Sequence, residues 1–145
     1  MRVRTATAND AHAIRTLIDR NVADGTLLPR SEPFIAMHVP HFLVAEDDGR
    51  VVGCVHLDEY APSLAELRSL AVEPACKGRG VGRALVLATM AFASRRGYAT
   101  LFAVSNDEAF FKRFGFEARH IPELDRERSE VSRYKGVYAT HVSVV

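Results

Sequence analysis

Apolar residues recur at helical spacing in two long segments of the chain. The first follows a capping-box sequence at Thr7–Asp10, and its apolar positions are Ala11, Ile14, Leu17 and Ile18. The second follows a glycine-rich loop, and its apolar positions are Val81, Ala84, Leu85, Ala88, Ala91 and Phe92. This spacing places each set on one buried helical face. A shorter helix is predicted at 107–114, where Gly115 would end it, and prolines restrict another to about 34–38.

Short apolar runs, several of them alternating with polar residues, predict the strands. These are residues 3–6, 42–46, 51–57, 65–72, 100–104, 116–119 and 137–144. Asp48–Gly49 separates the second run from the third and is a two-residue hairpin signal. The order of elements predicts an α/β (α+β) fold with a mixed, mostly antiparallel sheet of about six to seven strands and helices on both faces. We expect residues 1–145 to form a single domain.

Composition excludes several classes of function. The formal net charge is +1, so nothing indicates binding to nucleic acid or to a membrane surface. No apolar run is long enough to span a bilayer and no signal peptide is recognisable, so we expect a cytoplasmic protein. Two cysteines make no disulfide framework, and no Cys/His cluster has zinc spacing, so no metal is expected. The expected partner is a small molecule, and a homodimer is left open.

The stretch from Leu70 to Leu85 has the composition of an anion-binding loop. An apolar run stops at Pro74, and three glycines then lead directly into the second long helix. Glycines allow close approach of the backbone to a ligand, and the first N–H groups of a helix favour negative charge. Lys77, Arg79 and Arg83 add positive charge, so a bound pyrophosphate is predicted. The spacing matches neither a P-loop nor a clean dinucleotide fingerprint, and the alternative is a glycine-rich turn without a ligand.

Two segments resemble the signatures of the GNAT acetyltransferase superfamily. Lys77-x-x-Gly80-x-Gly82 is similar to the R/Q-x-x-G-x-G/A motif that holds the pyrophosphate of acetyl-CoA, and Phe110–Phe116 is similar to a second signature, F-Y/F-x-x-x-G-F. The resemblance implies the GNAT fold, acetyl-CoA as co-substrate and transfer of acetyl to an amine. The implied acetyl-CoA-binding residues are Leu70, Ala71, Val72, Lys77, Gly78, Arg79, Gly80, Val81, Gly82 and Arg83. A backbone N–H within 70–72 is implied as the oxyanion donor.

Glu66 is the candidate general base. Transfer of acetyl to an amine requires a group that removes a proton from the ammonium, and Glu66 matches the position of the family's catalytic glutamate. Strand alternation would place Glu66, Arg68, Leu70 and Val72 on one face. Glu66 would then lie roughly 20 Å from the loop, at about 3.3 Å per residue. The alternative is an exposed glutamate in a weak surface pair with Arg68. A histidine base at His56 or His141 is a further, weaker hypothesis.

The departing thiolate requires a second group that donates to it, and two positions are considered for this role. Phe111 stands where many family members have a tyrosine, which excludes a tyrosine acid at that position. Ser105 is the candidate hydrogen-bond donor, and the alternative is that Ser105 caps the following helix. Cys76 beside the loop is interpreted as an incidental small residue rather than as a reactive thiol, and Cys54 as a core residue.

A narrower resemblance, covering about residues 20–116, is to the acetyltransferase domain of N-acetylglutamate synthases, which are amino-acid N-acetyltransferases of arginine biosynthesis. Gly25-Thr26-Leu27-Leu28-Pro29-Arg30-Ser31 is similar to their G-x-L-x-x-R-S segment, and 42–54 and 65–72 continue the likeness. It implies L-glutamate as acceptor. Arg30 matches the carboxylate-binding arginine, and Arg68 and Lys135 are candidates for a second carboxylate.

The likeness weakens near the last strand, where no counterpart of the family's serine is found. Many synthases carry a kinase-like domain that senses arginine. We expect no counterpart of that domain in this protein, and we expect any arginine feedback to come from a partner or another site. Two other functions stay open: an acetyltransferase of a polyamine, antibiotic or protein N-terminus, and a non-catalytic acyl-CoA sensor. Arg30 and Arg68 disfavour a cationic acceptor, and Glu66 disfavours a mere sensor.

Overall fold

The computed structural model describes residues 1–22, 27–124 and 136–142. They form two compact units. The first comprises Met1–Leu57 and Ser69–Thr89, and the second comprises Asp58–Arg68 and Met90–Val145. Two long strands and one helix contribute residues to both units, so each unit is described by itself. The expectation that 1–145 is a single domain stays a prediction.

The first unit contains the amino-terminal helices and strands. Its elements are β1 (Arg2–Thr5), α1 (Ala11–Val22), α2 (Glu32–His38), β2 (Phe42–Asp47), most of β3 (Arg50–Ala61), the end of β4 (Leu64–Val72) and the start of α3 (Val81–Arg95). Short 3₁₀ turns lie at Ala8–Asp10, Val39–His41 and Pro74–Cys76. The capping box predicted at Thr7–Asp10 is confirmed, because Asp10 accepts a hydrogen bond from the Thr7 N–H at 2.7 Å.

The second unit contains the remaining strands and a short helix. Its elements are the end of β3, the start of β4, the end of α3, β5 (Thr100–Ser105), α4 (Glu108–Lys112), β6 (Glu117–Ala118) and β7 (Gly136–His141). The α4 helix is shorter than predicted, because a turn at 113–115 follows it and Gly115 has a φ of 84°. The last strand ends earlier than predicted, and residues 143 and 144 of that prediction lie outside the described residues.

Among the described residues, the strands form a seven-stranded mixed sheet in the order β1-β2-β3-β4-β5-β7-β6. β4 pairs with β5 in parallel, whereas β1 with β2, β2 with β3, β5 with β7 and β6 with β7 are antiparallel. The hairpin predicted at Asp48–Gly49 is confirmed, because both residues have the positive φ values, 52° and 75°, that a two-residue turn of this type requires. The predicted mixed, mostly antiparallel sheet is therefore confirmed.

Most of the residues that helical periodicity assigned to buried stripes are buried. The predicted stripe of α1 is buried in the first unit against Ile35, Phe42 and Val44. In α3, Val81, Leu85 and Phe92 are buried as predicted. Ala91 is exposed, however, so that residue was wrongly placed in the buried stripe. The α2 helix begins at Glu32 rather than at 34, because Ser31 caps it and Pro33 is tolerated in the first helical turn.

Candidate active site

The glycine loop and the start of α3 have the geometry of an anion cradle. Gly78 and Gly80 have φ values of 83° and 84°, a backbone conformation that residues with a Cβ rarely adopt. The N–H of Ala84 bonds to the Gly80 carbonyl at 3.0 Å. Since an α-helical N–H bonds four residues back, the N–H groups of Val81, Gly82 and Arg83 precede the helical ladder and are left for another acceptor. This arrangement supports the predicted pyrophosphate site.

The charged side chains of residues 77–83, which form the cradle, are all positive. Lys77, Arg79 and Arg83 are exposed, and within the described part of the chain none of them lies within 4.0 Å of a carboxylate oxygen. These side chains add to the positive end of the α3 dipole. The loop can therefore hold a multiply charged anion without displacing an internal ion pair.

Several contacts that were not predicted from the sequence connect the cradle to the rest of the first unit. The Arg20 guanidinium pairs with the Glu73 carboxylate, and the Glu73 N–H bonds to the Val52 carbonyl at 2.8 Å. At Gly53, an added Cβ would lie 2.8 Å from methyl carbons of both Val81 and Leu85. The helix that opens the cradle thus packs closely on β3, and Gly53 permits that approach. An apolar run containing a glycine was the only sequence signal for this contact.

Glu66 lies on β4 in the second unit, directly beside Arg68. Its side chain is 2% exposed, and its Oε1 lies 3.8 Å from the Arg68 Nε. Arg68 also donates from Nη1 to the Asp58 Oδ2 at 3.2 Å. Glu66 is thus not the exposed glutamate of the alternative hypothesis. Asp58 was missed by sequence reasoning, because nothing in the sequence indicated which side chain would face Arg68.

Ser69 interrupts the alternation of β4. Its φ is 54°, in the left-handed region, although it lies within the strand. A left-handed residue inside a strand marks a bulge and re-aims the side chains that follow. The prediction that Glu66 shares one strand face with Leu70 and Val72 assumed unbroken alternation. Because Ser69 breaks the alternation, that prediction does not hold beyond Arg68. A serine gives no sequence signal of this conformation.

Leu70–Val72, the predicted oxyanion segment, lies after this bulge in the first unit. Leu70 and Val72 are half-buried and Ala71 is buried. Close by, the Cys54 thiol donates to the Ser69 carbonyl at 3.5 Å. Complete burial raises the pKa of Cys54 to about 12, so Cys54 is an inert core residue as interpreted. Cys76 is half-buried.

Ser105 lies at the end of β5 and shapes the turn into α4. Its Oγ accepts a hydrogen bond from the Asp107 N–H at 2.9 Å. Asp107, not Ser105, is the N-cap, since its Oδ1 accepts from the Phe110 N–H at 3.1 Å. The Ser105 hydroxyl proton takes no part in this bond, so a hydroxyl at this position can still donate to a ligand. Phe111 is 5% exposed and packs edge-on against Phe116.

Arg30 is half-buried in the first unit and immediately precedes α2. Its guanidinium carbon lies 5.3 Å from the centre of the Phe34 ring. Ser31 is the N-cap of α2, because its Oγ accepts from the Phe34 N–H at 3.2 Å. Phe34 was missed as a neighbour of Arg30, although the four-residue spacing could have indicated it.

The remaining candidates contribute less. Lys135 lies outside the described residues. His56 is 2% exposed and stacks on Phe42 with ring centres 4.4 Å apart, which is the packed-histidine interpretation. His141 is exposed. Within the described ranges, no helix is long and apolar enough to cross a membrane, and no cluster of three or more His, Cys, Asp or Glu residues could hold a metal ion.

Each unit brings together part of the predicted site. The first contains the cradle, the segment 70–72 and Arg30, whereas the second contains Glu66, Arg68 and Ser105. Within the second unit, Arg68 contacts Glu66, as predicted from their spacing on the strand, and also contacts Asp58, which was not predicted.

The chain is similar in sequence to known acetyltransferases. The family profile described as acetyltransferase (GNAT) domain matches residues 39–118, more than half of the chain. An uncharacterised N-acetyltransferase of Chlorobaculum tepidum is 37% identical over 125 residues, covering 86% of this chain and 77% of that protein. An amino-acid acetyltransferase of Ralstonia nicotianae is 31% identical over 135 residues, covering 92% of this chain.

A solved structure supports the same relationship. The N-acetylglutamate synthase of Neisseria gonorrhoeae, in complex with coenzyme A and N-acetyl-glutamate, superimposes with a TM-score of 0.87 at 28% identity over 99% of this chain. This chain spans only 30% of the Ralstonia protein and 35% of the Neisseria chain. From the family match and these relatives, the chain belongs to the GNAT acetyltransferase family, and its enzyme class is acetyl-CoA-dependent N-acetyltransferase.

Proposed function

We propose that this protein transfers the acetyl group of acetyl-CoA to the α-amino group of L-glutamate, the N-acetylglutamate synthase reaction of arginine biosynthesis, with Glu66 as general base. The observation that carries the proposal is the buried Glu66 carboxylate beside Arg68. A carboxylate that is removed from solvent yet held by a cation is suited to accept a proton from an ammonium. The relatives named above, which include an amino-acid acetyltransferase and an N-acetylglutamate synthase, support the choice of acceptor.

The reaction needs little covalent chemistry from the protein. Glu66 takes a proton from the acceptor ammonium, and the freed nitrogen attacks the thioester carbonyl carbon, forming the C–N bond. A backbone N–H within 70–72 donates to the developing oxyanion. The C=O bond then re-forms, the C–S bond breaks and the electron pair leaves on sulfur, which is favourable because thiols have a pKa of about 8.5. The nitrogen loses its second proton in this step, and that proton ends on the coenzyme A thiolate. The Ser105 hydroxyl stays the candidate donor to the departing thiolate.

Arg68 was predicted to bind a carboxylate of the acceptor, but its contacts within the protein favour a different role. Its guanidinium already faces two carboxylates, Glu66 and Asp58. We therefore propose that Arg68 mainly orients Glu66. A guanidinium has five N–H donors, so a further contact with the acceptor is compatible with this role.

Arg30 supports an anionic acceptor. A guanidinium binds a carboxylate through two parallel hydrogen bonds, whereas it would repel the cationic groups of a polyamine. Arg30 belongs to the segment that resembles N-acetylglutamate synthases, and we propose that it binds the α-carboxylate of glutamate. Glutamine would then be a poorer acceptor only if a second cation binds the side-chain carboxylate.

The decisive experiment is a substrate panel with the 145-residue chain assayed on its own, since we propose that it forms one catalytic domain. Release of free coenzyme A is followed with L-glutamate, L-glutamine, other amino acids, spermidine and short peptides. We expect glutamate to give the highest kcat/KM. Arg30→Ala should raise the KM for glutamate by roughly ten- to a hundredfold, as expected for a lost charged hydrogen bond, and leave acetyl-CoA binding unchanged. A preference for spermidine or a peptide would refute the acceptor assignment.

A further inference from the structure

The residues that follow Arg30 build a support beneath its guanidinium. Ser31 caps α2, and Pro33 lies in the first turn of the helix. Together they fix where the helix begins. Helical side chains point back toward the amino terminus, so Phe34, one turn later, directs its ring toward the residue that precedes the cap. The observed distance of 5.3 Å between the Arg30 guanidinium carbon and the Phe34 ring centre is the result.

The Phe34 ring is itself held by its neighbours. The His38 ring stacks on it, with centres 4.2 Å apart. The His38 ring is held in place by a hydrogen bond from its Nδ1 to the Phe34 carbonyl oxygen at 2.7 Å. Nδ1 is the donor because a carbonyl oxygen can only accept. The buried His56 ring meets Phe34 edge-on, with centres 5.9 Å apart. A half-buried ring with such contacts is a rigid surface rather than a mobile side chain.

We propose that Phe34 is a positioning residue for the acceptor: its ring holds the Arg30 guanidinium, by a cation–π contact, in the orientation that binds the acceptor carboxylate. The inference rests on the proposed function of Arg30. An arginine side chain has several rotatable bonds, and ordering it on binding costs affinity. A guanidinium already held against a ring avoids part of that cost, and its five N–H donors allow it to bind a carboxylate in addition to its contacts within the protein.

The test is a double-variant cycle in steady-state kinetics at saturating acetyl-CoA. Phe34→Leu keeps an apolar side chain but removes the aromatic face. It should raise the KM for L-glutamate about two- to fivefold, which is the change in affinity expected from the loss of an exposed cation–π contact. The kcat and the KM for acetyl-CoA should stay unchanged. Phe34→Tyr keeps the face and should retain the wild-type KM. In an Arg30→Ala background, Phe34→Leu should add nothing further, because Phe34 acts through Arg30.

Ile35→Val is the matched control. Ile35 is fully buried on the same helix, so the variant should lower the melting temperature without changing the KM for glutamate. If Phe34→Leu instead behaves like Ile35→Val, or if its effect adds to that of Arg30→Ala, the positioning role is overturned and Phe34 is a packing residue only.

A spectroscopic measurement separates this inference from the proposed function. The Arg30 Nε–H resonance, assigned from the Arg30→Lys spectrum, should show a ring-current shift and a nuclear Overhauser effect to the Phe34 ring protons in the wild-type protein. The shift should disappear in Phe34→Leu and persist in Phe34→Tyr. Absence of both signals in the wild type refutes the contact even if a variant fails to fold. If no amino acid is acetylated but the signals are present, the proposed acceptor fails while Phe34 still positions Arg30.

Discussion

Replacement of Glu66 by glutamine tests the catalytic proposal with little change in shape. The side chain is 2% exposed, and its carboxylate faces Arg68 across 3.8 Å. Glutamine keeps the volume and an acceptor oxygen but cannot take a proton at neutral pH. Arg68 keeps its pair with Asp58 in the variant, so the arginine is not left without a carboxylate. We therefore expect the protein to remain folded.

The expected kinetic effect is large. Loss of a general base typically lowers the rate 10²- to 10⁴-fold, which corresponds to about 2.7–5.5 kcal/mol of barrier at 1.36 kcal/mol per factor of ten. The KM for acetyl-CoA should change little, because the substitution leaves the backbone N–H groups and the positive side chains of the cradle unchanged. Raising the pH should recover part of the rate, since more of the acceptor is then already the free amine.

The assay should follow loss of the thioester absorbance rather than capture of free thiol, since Cys76 is half-buried and can itself react with a thiol reagent. Calorimetric titration with coenzyme A and thermal unfolding of Glu66→Gln serve as controls for binding and folding. Wild-type turnover by a folded Glu66→Gln protein at neutral pH would refute the role of Glu66 as base. A loss of rate that pH does not relieve would assign Glu66 to positioning instead.

Three further predictions concern other parts of the chain. Gly80→Val should weaken coenzyme A binding at least tenfold in calorimetry, because valine rarely adopts the φ of 84°; unchanged affinity would contradict the cradle. The Arg4 hydrogen bond lowers the pKa of Asp10, so its carboxylate stabilises the fold at neutral pH and loses that effect as pH falls through the lowered value. Asp10→Asn should therefore cost about 1.5–3 kcal/mol in denaturant unfolding at pH 7, with a smaller difference in acid, whereas a pH-independent difference would contradict the linkage. Because burial raises the pKa of Cys54 to about 12, a thiol reagent should titrate Cys76 in the native protein and both cysteines after denaturation, and rapid labelling of Cys54 in the native state would refute its burial.

Local signals in the sequence were sufficient for much of the fold. The turn at Asp48–Gly49, the capping box at Thr7–Asp10 and the glycine at position 97, which has a φ of 85° just after α3, each depend on residues only a few positions apart. Their conformations follow from steric preference and short-range hydrogen bonds. Boundaries were less accurate where one side chain decides them, as at Ser31, which starts α2 earlier than the proline spacing indicated.

Long-range partners could not be predicted in this way. The pair between Arg20 and Glu73 joins residues far apart in sequence, and the approach of α3 to Gly53 depends on how a helix packs on a strand. The bulge at Ser69 has no local cause in the sequence, since serine has no particular preference for the left-handed region. It matters most at the site, because it decides where the side chains after Arg68 point.

The family signatures contain structural residues as well as chemical ones, which explains why the resemblance indicates the fold more firmly than the acceptor. Ser31 of the R-S segment is a helix cap, Gly80 supplies a backbone conformation, and Phe116 is a buried core residue. Any protein with this backbone needs such residues, whatever amine it acetylates. The assignment of glutamate therefore depends on Arg30 and on the experiment that changes Arg30 while leaving Ser31 and its helix intact.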